Sequence, residues 1–375
     1  MDETTFRIID LLSRDLSSAI SINELTNRIK EVYGTAHYKN IFDKIKELQK
    51  KKIINLFSAG KASIISLNFN NNLITDLLAE MEFKRKKDFI ENKISFQKLF
   101  MDIEREFRRT FPYIESISII EPEKNSKLNR AEFLFILEEP SKWWIDNKPE
   151  NPEIGEKQIQ SEILGINSIM EHLMEMHNMK IDCLILRKNE FIELFKANEL
   201  NPLQEMLANK IAFFSPQEFW LTVNEIILSG VEIKTQETII KPDKINEEEL
   251  IYNLYRFGYK EIGKEVKEEK NICIETIISG ILLLDNKRRI EAIPVILAKE
   301  FRKQKSRKPI YNLIIFLCRK YNKLEKLFGL LKTFNKLKPI KETGNAIKIL
   351  ESLNIKEIKA DEKAMKQKMR LYNAI

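Results

Sequence analysis

The sequence predicts an α+β protein that is mostly helical. Only ten glycines and eleven prolines occur among 375 residues, a composition that favours long helices and short loops. The strand signals are short β-branched and aromatic runs, and the last of them ends at Ser215. From residue 245 onward, apolar residues recur at spacings of three and four, which is typical of helices. We therefore expect mixed segments up to residue 244 and an all-α bundle over 245–375.

The segment 1–71 begins with two helices whose limits are marked by local signals. Residues 4–13 carry apolar residues at helical spacing. Ser21 stands three residues before Glu24, which predicts reciprocal N-capping at the start of the second helix. Gly34 predicts the end of that helix, because glycine readily adopts the left-handed conformation of a C-terminal cap.

A third helix and a hairpin complete this segment. The core-facing residues expected on the helix are Ile41, Ile45 and Leu48. Two β-branched runs, 53–57 and 62–67, are separated by Ser-Ala-Gly-Lys and predict a β-hairpin. Helix, tight turn, helix and hairpin in this order resemble the winged helix-turn-helix family of DNA-binding domains.

The winged-helix resemblance implies a way of binding duplex DNA. The second helix of the motif enters the major groove with its N-terminal residues at the base edges, while the hairpin lies over the adjacent backbone. The positions that match are His37, Tyr38, Lys39, Asn40 and Lys44 on the helix and Lys61 at the wing. Six lysines and two acids lie between residues 37 and 52, a local balance of +4 that favours phosphate contacts. A solvated face or a protein-docking winged helix is the alternative.

Residues 72–244 predict a mixed domain with a long leading helix at 85–109. The strands expected are 116–120 and 132–137, joined by a polar connection, then 179–187 and 211–215. The helices expected are 158–176, one N-capped by Asn189, and two that begin at Pro202 and Pro216. From 112 to 220 this order resembles a small nucleotidyltransferase domain of archaeal type.

The same resemblance implies a fold without transferase activity. Active members receive the nucleotide phosphates at a Gly-Ser turn, where this chain has Glu121 and Pro122. They also hold two metal ions with two carboxylates one residue apart and a third from a later strand. Of these acids, Glu132 and Asp182 are present, but Leu134 replaces the partner of Glu132. We therefore expect a pseudoenzyme with no catalytic residues, no metal and no cofactor.

Basic residues are concentrated in the last third. Thirteen lysines and arginines but only two acids lie between residues 299 and 338, a balance of +11 against +7 for the whole chain. The densest cluster comprises Arg302, Lys303, Lys305, Arg307 and Lys308. A solvated face is the usual explanation of such a cluster, and contact with a phosphate backbone is the functional alternative.

These observations combine into one functional hypothesis. The chain is predicted to be a cytoplasmic, non-enzymatic transcriptional regulator that binds double-stranded DNA. Its expected parts are a winged helix at 1–71, a nucleotidyltransferase-like domain at 72–244 and a basic all-α domain at 245–375. A divergent nucleotidyltransferase acting on protein or RNA is one alternative, and an assembly or RNA-associated factor is another.

The remaining expectations concern partners and cysteines. A homodimer is possible. No apolar run is long enough for a membrane span. Three dispersed cysteines predict buried thiols rather than disulfides.

Overall fold

The computed structural model describes residues 1–16, 19–60, 62–91, 93–111, 113–138, 152–231, 233, 241–304 and 307–375. The chain divides into two compact units. The first consists of Met1–Leu137 and Leu203–Glu237, and the second of Glu138–Pro202 and Thr238–Ile375. Most of the described residues are helical and the strands are short, so the α+β class predicted from the sequence is confirmed. The boundaries at 72 and 245 stay a prediction.

The secondary-structure elements follow in chain order. Up to residue 137 they are α1 Glu3–Arg14, β1 Ile20–Ser21, α2 Ile22–Tyr33, α3 Tyr38–Lys50, β2 Ile54–Ala59, β3 Ala62–Leu67, α4 Leu73–Ile90, α5 Ile94–Thr110, β4 Ile114–Ile120, α6 Pro122–Lys127 and β5 Arg130–Leu137. Up to residue 237 they are α7 Pro152–His177, β6 Lys180–Arg187, α8 Lys188–Lys196, α9 Pro202–Ala208, β7 Lys210–Phe214 and α10 Pro216–Leu228. Beyond a 3₁₀ turn at Pro242–Lys244 they are α11 Glu247–Arg256, α12 Ile274–Leu284, α13 Lys287–Ile290, α14 Ile293–Arg302, α15 Tyr311–Lys320, α16 Leu324–Leu337, α17 Lys341–Ser352 and α18 Glu362–Leu371.

The predicted signals at the two ends of α2 act as expected, with one difference. The Ser21 hydroxyl accepts a hydrogen bond from the Glu24 amide at 3.1 Å, and Gly34 takes φ +80° at the other end. The Glu24 carboxylate, however, binds Arg28 at 2.6 Å. The ion pair with Arg28 one turn away and the reciprocal half of the cap both use the Glu24 side chain, so the two interactions compete.

Two local expectations for residues 85–190 are wrong, and one connection contains a helix that was not predicted. The predicted helix 85–109 is two helices, since α4 ends at Ile90 and α5 begins at Ile94. The polar connection between β4 and β5 contains α6, which Pro122 begins, because proline is well suited to a first helical turn. The N-cap of α8 is Arg187 rather than Asn189, so the strand passes directly into the helix.

Strand β4 is hydrogen-bonded on both of its edges, to β5 and to β7, and both pairings are antiparallel. Phenylalanines cover one face of these strands. The rings of Phe100 on α5 and Phe213 on β7 stack with centroids 4.2 Å apart, and Phe133 on β5 meets both edge-on. Aromatic pairs in these geometries add to the stabilisation from apolar burial.

Buried charges tie α1, α4 and β7 together. The Asp10, Glu82 and Lys210 side chains are almost fully buried, and Arg85 is nearly so. Arg85 binds both Asp10 and Glu82, the latter at 3.1 Å. Glu82 also accepts hydrogen bonds from Lys210 at 2.5 Å and from the Ala212 amide at 3.0 Å. Because each charge has a partner, this network holds α1 against α4 within the first unit.

Lys210 predicts an unusual dependence of stability on pH. Burial lowers the pKa of its ammonium group to about 8, whereas a lysine in the unfolded chain has a pKa of about 10.4. Between these values the unfolded chain binds more protons than the native one, so the free energy of unfolding should rise with pH. Denaturant titrations at pH 7.5, 8.5 and 9.5 should show this rise in the wild type and not in Lys210→Met. Parallel profiles for the two proteins would contradict the prediction.

The second unit is built almost entirely of helices. Its core is apolar, as on α12 and α15, where Ile277, Ile281, Leu313 and Phe316 are buried. Cys273 and Cys318 are buried in this unit, Cys183 is partly buried, and none of the three is in a disulfide. Pro294 lies in the first turn of α14 and so starts the helix. In the described part of the chain after residue 245, the elements are helices and one isolated bridge between Ile272 and Leu200.

Candidate nucleic-acid interface

Helix α3 is held by its apolar stripe. Ile41, Ile45 and Leu48 are buried at 3%, 0% and 3% exposure, as the spacing predicted. The helix packs against α1, α2 and β2. Full burial of an aliphatic side chain contributes about 1.5–3 kcal/mol, so three of them determine which face of α3 points outward.

The front of α3 presents the residues predicted to meet DNA. His37, Tyr38, Lys39 and Asn40 are all exposed. His37 is the N-cap residue, and its side chain makes no capping hydrogen bond. The first amides of a helix carry a partial positive charge, which adds to the lysine charges of this segment. These side chains and amides together form a surface suited to a polyanion.

Aromatic rings lie beside this polar front. The Tyr38 and Phe42 rings stack with centroids 6.0 Å apart, and the Lys46 ammonium lies 5.5 Å from the Phe42 centroid. Phe42 and Lys46 were not among the residues predicted from the sequence. Their spacing of four along the helix, which also joins Tyr38 to Phe42, was the signal available for finding them.

Lys44 differs from the four residues at the front. Its ammonium binds Glu47 at 2.6 Å and Asp2 at 3.3 Å, and its side chain is only 22% exposed. The Glu47 carboxylate, with help from Asp2, raises the pKa of Lys44 above the usual value. Two carboxylates already neutralise this ammonium, so it has less charge to offer a phosphate than Lys39 has.

The β2–β3 hairpin supplies the second part of the interface. The register pairs Ala59 with Ala62, and Gly60 takes φ +61° in the turn between them. Lys61, the predicted wing residue, lies outside the described residues. Phe57 is 55% exposed on β2, although sequence reasoning did not single it out. Strand alternation could have placed it outward, because its neighbour Leu56 pairs with the buried Ile65.

The basic cluster at 301–309 is largely engaged with the protein itself. Arg307 binds the buried Glu275 through two hydrogen bonds of 2.5 and 2.9 Å. Lys303 pairs with Glu300, Lys308 donates to main-chain carbonyls, among them that of Phe301 at 3.0 Å, and Arg302 donates to the Asn373 carbonyl. Lys305 lies outside the described residues. These contacts favour a structural role for Arg307 and Lys308.

The two residual acids of the nucleotidyltransferase resemblance are buried beside arginines. Glu132 is 1% exposed and lies 3.2 Å from Arg130. Asp182 is 0% exposed and lies 3.0 Å from Arg319. An arginine at this distance offsets the negative charge of the carboxylate and so competes with a metal ion for it. Among the described residues, no group of three or more metal-ligating side chains is present.

The turn that follows β4 holds Glu121 and Pro122, the positions that correspond to the phosphate-binding Gly-Ser turn in the nucleotidyltransferase resemblance. Glu121 takes φ +44°, and its amide donates to the Asn209 carbonyl at 2.7 Å. The Glu121 carboxylate accepts a hydrogen bond from Lys124 at 2.6 Å. Because the amide of Glu121 is already bonded and Pro122 has no amide hydrogen, this turn offers little to an incoming phosphate.

The sequence was compared with protein-family models, with curated proteins and with solved structures, and none of them matches it. In the described parts of the chain, every helix is too short or too polar to span a lipid bilayer.

Proposed function

We propose that this protein binds double-stranded DNA through the front of α3 and the β2–β3 hairpin, and that it regulates transcription without enzymatic activity. The observation that carries the proposal is the exposed face of His37, Tyr38, Lys39 and Asn40, which lies opposite the buried stripe of α3. A recognition helix needs this division, because one side must pack on its own domain while the other enters the groove.

The order of elements also supports the proposal. The segment up to Leu67 runs α1, β1, α2, α3, β2, β3, and its sheet has the order β1-β3-β2. This order agrees with the winged helix-turn-helix resemblance, in which the hairpin lies beside the recognition helix. On this proposal, residues 72–244 serve as a nucleotidyltransferase-like scaffold and 245–375 as a basic helical domain. Additional backbone contacts from Arg302, Lys303 and Lys305 belong to the same proposal.

Lys39 provides the most direct test. Each lysine that neutralises a DNA phosphate contributes about 0.9 to the slope of log affinity against log salt concentration. We expect Lys39→Ala to weaken binding to a 30-base-pair duplex and to reduce that slope by about 1. Lys44→Ala should reduce it less, because Asp2 and Glu47 already bind the Lys44 ammonium. Fluorescence anisotropy over a series of KCl concentrations measures both quantities.

A matched control separates a local effect from the loss of one positive charge. Lys87 is exposed on α4, outside both α3 and the β2–β3 hairpin. Lys87→Ala therefore makes the same change in net charge as Lys39→Ala without altering the proposed interface. If Lys39→Ala and Lys87→Ala alter the slope by the same amount, the role given to α3 is wrong. The same titration with an RNA duplex of equal sequence tests the RNA-associated alternative, which predicts no preference for DNA.

A further inference from the structure

The outward face of α3 carries an acid among its lysines. Four exposed residues at spacings of four, three and four form a ridge along the helix: Lys39, Asp43, Lys46 and Lys50. Since successive residues of a helix turn by about 100°, this ridge lies opposite the buried stripe of α3. Asp43 therefore brings a negative charge to the face that is proposed to meet DNA.

The side chain of Asp43 is available to a ligand. Within the residues that the structure describes, neither Asp43 nor Lys39 forms an ion pair or a hydrogen bond through its side chain. A lysine followed four residues later by an acid is the weaker orientation for an ion pair on a helix, which is consistent with their separation. On the other side of Asp43, the Lys46 ammonium lies 5.5 Å from the centroid of the Phe42 ring.

Glu47, the second acid of the segment 37–52, behaves differently. Its carboxylate binds the Lys44 ammonium at 2.6 Å and the Lys51 ammonium at 2.8 Å. The charge of Glu47 is thus compensated by direct contacts within α3 and at its end. The charge of Asp43 is offset only at longer range, by the exposed lysines before and after it on the ridge.

A carboxylate on this face opposes the binding of phosphates. The attraction between lysines and the DNA backbone is electrostatic, so an exposed acid beside them weakens it. A carboxylate gains from contact with DNA only where the DNA presents a hydrogen-bond donor, because an ionised aspartate accepts hydrogen bonds and cannot donate them. In the major groove the donors are the amino groups of cytosine and adenine.

The two amino groups have different neighbours in the groove. In an A·T pair the adenine amino group lies between two acceptors, adenine N7 and thymine O4. Both of these acceptors repel a carboxylate. In a G·C pair the cytosine amino group has an acceptor, guanine O6, on one side only. An aspartate at the centre of a recognition face is therefore better suited to cytosine.

We propose that Asp43 is a specificity-determining residue that accepts a hydrogen bond from the N4 amino group of cytosine in the major groove. Asp43 thereby favours G·C over A·T at the base pair that it meets. This inference rests on the proposed DNA binding and adds the kind of base pair that α3 selects. Lys39, one turn nearer the start of the helix, keeps its proposed role at the phosphates.

Binding to three duplexes of 30 base pairs tests the proposal, with alternating G·C, alternating A·T and alternating inosine·C sequences. Fluorescence anisotropy at one fixed salt concentration gives the affinity for each duplex. Asp43→Ala should reduce the ratio of G·C to A·T affinity by about tenfold, because the contact with cytosine is lost. It should also strengthen binding to the A·T duplex, since a repulsive charge is removed from the interface.

The inosine duplex identifies the groove that is read. Inosine lacks the amino group of guanine in the minor groove but leaves the major-groove edges of the pair unchanged. The ratio of inosine·C to A·T affinity should therefore fall by the same factor in Asp43→Ala. If that ratio does not change while the G·C to A·T ratio does, the reading takes place in the minor groove and the role given to Asp43 is wrong.

Asp88→Ala is the matched control. Asp88 is exposed on α4, outside α3 and the β2–β3 hairpin, so its replacement removes the same charge from the same residue type. This variant should keep the wild-type ratios. Unchanged ratios in Asp43→Ala, or equal changes in the two variants, would overturn the inference and leave the proposed DNA binding intact. Failure of the wild type to bind any of the three duplexes would overturn both.

Discussion

Arg307→Ala is expected to destabilise the second unit by about 3–5 kcal/mol, the usual loss when one partner of a buried ion pair is removed. Arg307 is 11% exposed and Glu275 is fully buried. Burial by itself would raise the pKa of the Glu275 carboxyl, but the Arg307 guanidinium holds that pKa below its usual value. Without Arg307, the Glu275 carboxylate loses its ion-pair partner and is left with main-chain hydrogen bonds such as that from the Ile310 amide at 2.8 Å.

Lys303→Ala is the matched control for this prediction. Lys303 belongs to the same basic cluster but is 47% exposed, so its pairing with Glu300 should contribute no more than about 1 kcal/mol. Thermal or denaturant unfolding of both variants measures the difference. Full stability of Arg307→Ala combined with weaker DNA binding would restore Arg307 as a nucleic-acid contact and contradict the structural role.

Gly329→Ala should also destabilise the protein, although alanine is normally the better residue in a helix. Gly329 lies within α16, and a Cβ atom there would overlap the Ile358 carbonyl oxygen and stand 2.6 Å from its carbon. The atoms in the way belong to the main chain of Ile358. The hydrogen bond from the Ile358 amide to the Glu325 carbonyl at 3.0 Å holds that main chain in place. Overpacking of this kind costs about 1–3 kcal/mol or more.

Gly344→Ala should have the opposite effect on the stability of the protein. Gly344 is also inside a helix, α17, but its Cβ position is open. Alanine there should stabilise the protein by about 0.4–1 kcal/mol, because it reduces the conformational freedom of the unfolded chain. Comparing the unfolding midpoints of the two variants isolates the contact with Ile358. A stabilising Gly329→Ala would show that the loop carrying Ile358 can move away without loss.

The sequence was most informative about the limits of individual elements. Ser21 and Gly34 bound α2, Pro202 and Pro216 begin α9 and α10, and the two β-branched runs form the hairpin. Each signal involves residues no more than a few positions apart, so no tertiary information is needed to interpret it. The same locality explains the missed break between α4 and α5, where neither glycine nor proline marks the end of a helix.

The candidate interface could be predicted in part. The apolar stripe at Ile41, Ile45 and Leu48 determines that His37, Lys39 and Asn40 face outward, because a helix can bury only one of its faces here. The sequence could not reveal that Asp2 binds Lys44, since the two residues are 42 positions apart. The exposure of Phe57 follows from the strand register, which local propensity does not determine.

By itself, then, the sequence determined where helices and strands begin and which of their faces are apolar, because both depend on neighbouring residues. Only the tertiary structure determines which partner each charged side chain binds. The run at 299–338 carries a balance of +11, yet Arg307 binds Glu275 and Glu199, and Arg319 binds Glu171 and Asp182, all distant in the chain. A charge count depends only on the sequence, whereas the electrostatic energy depends on the distance between the charges in space.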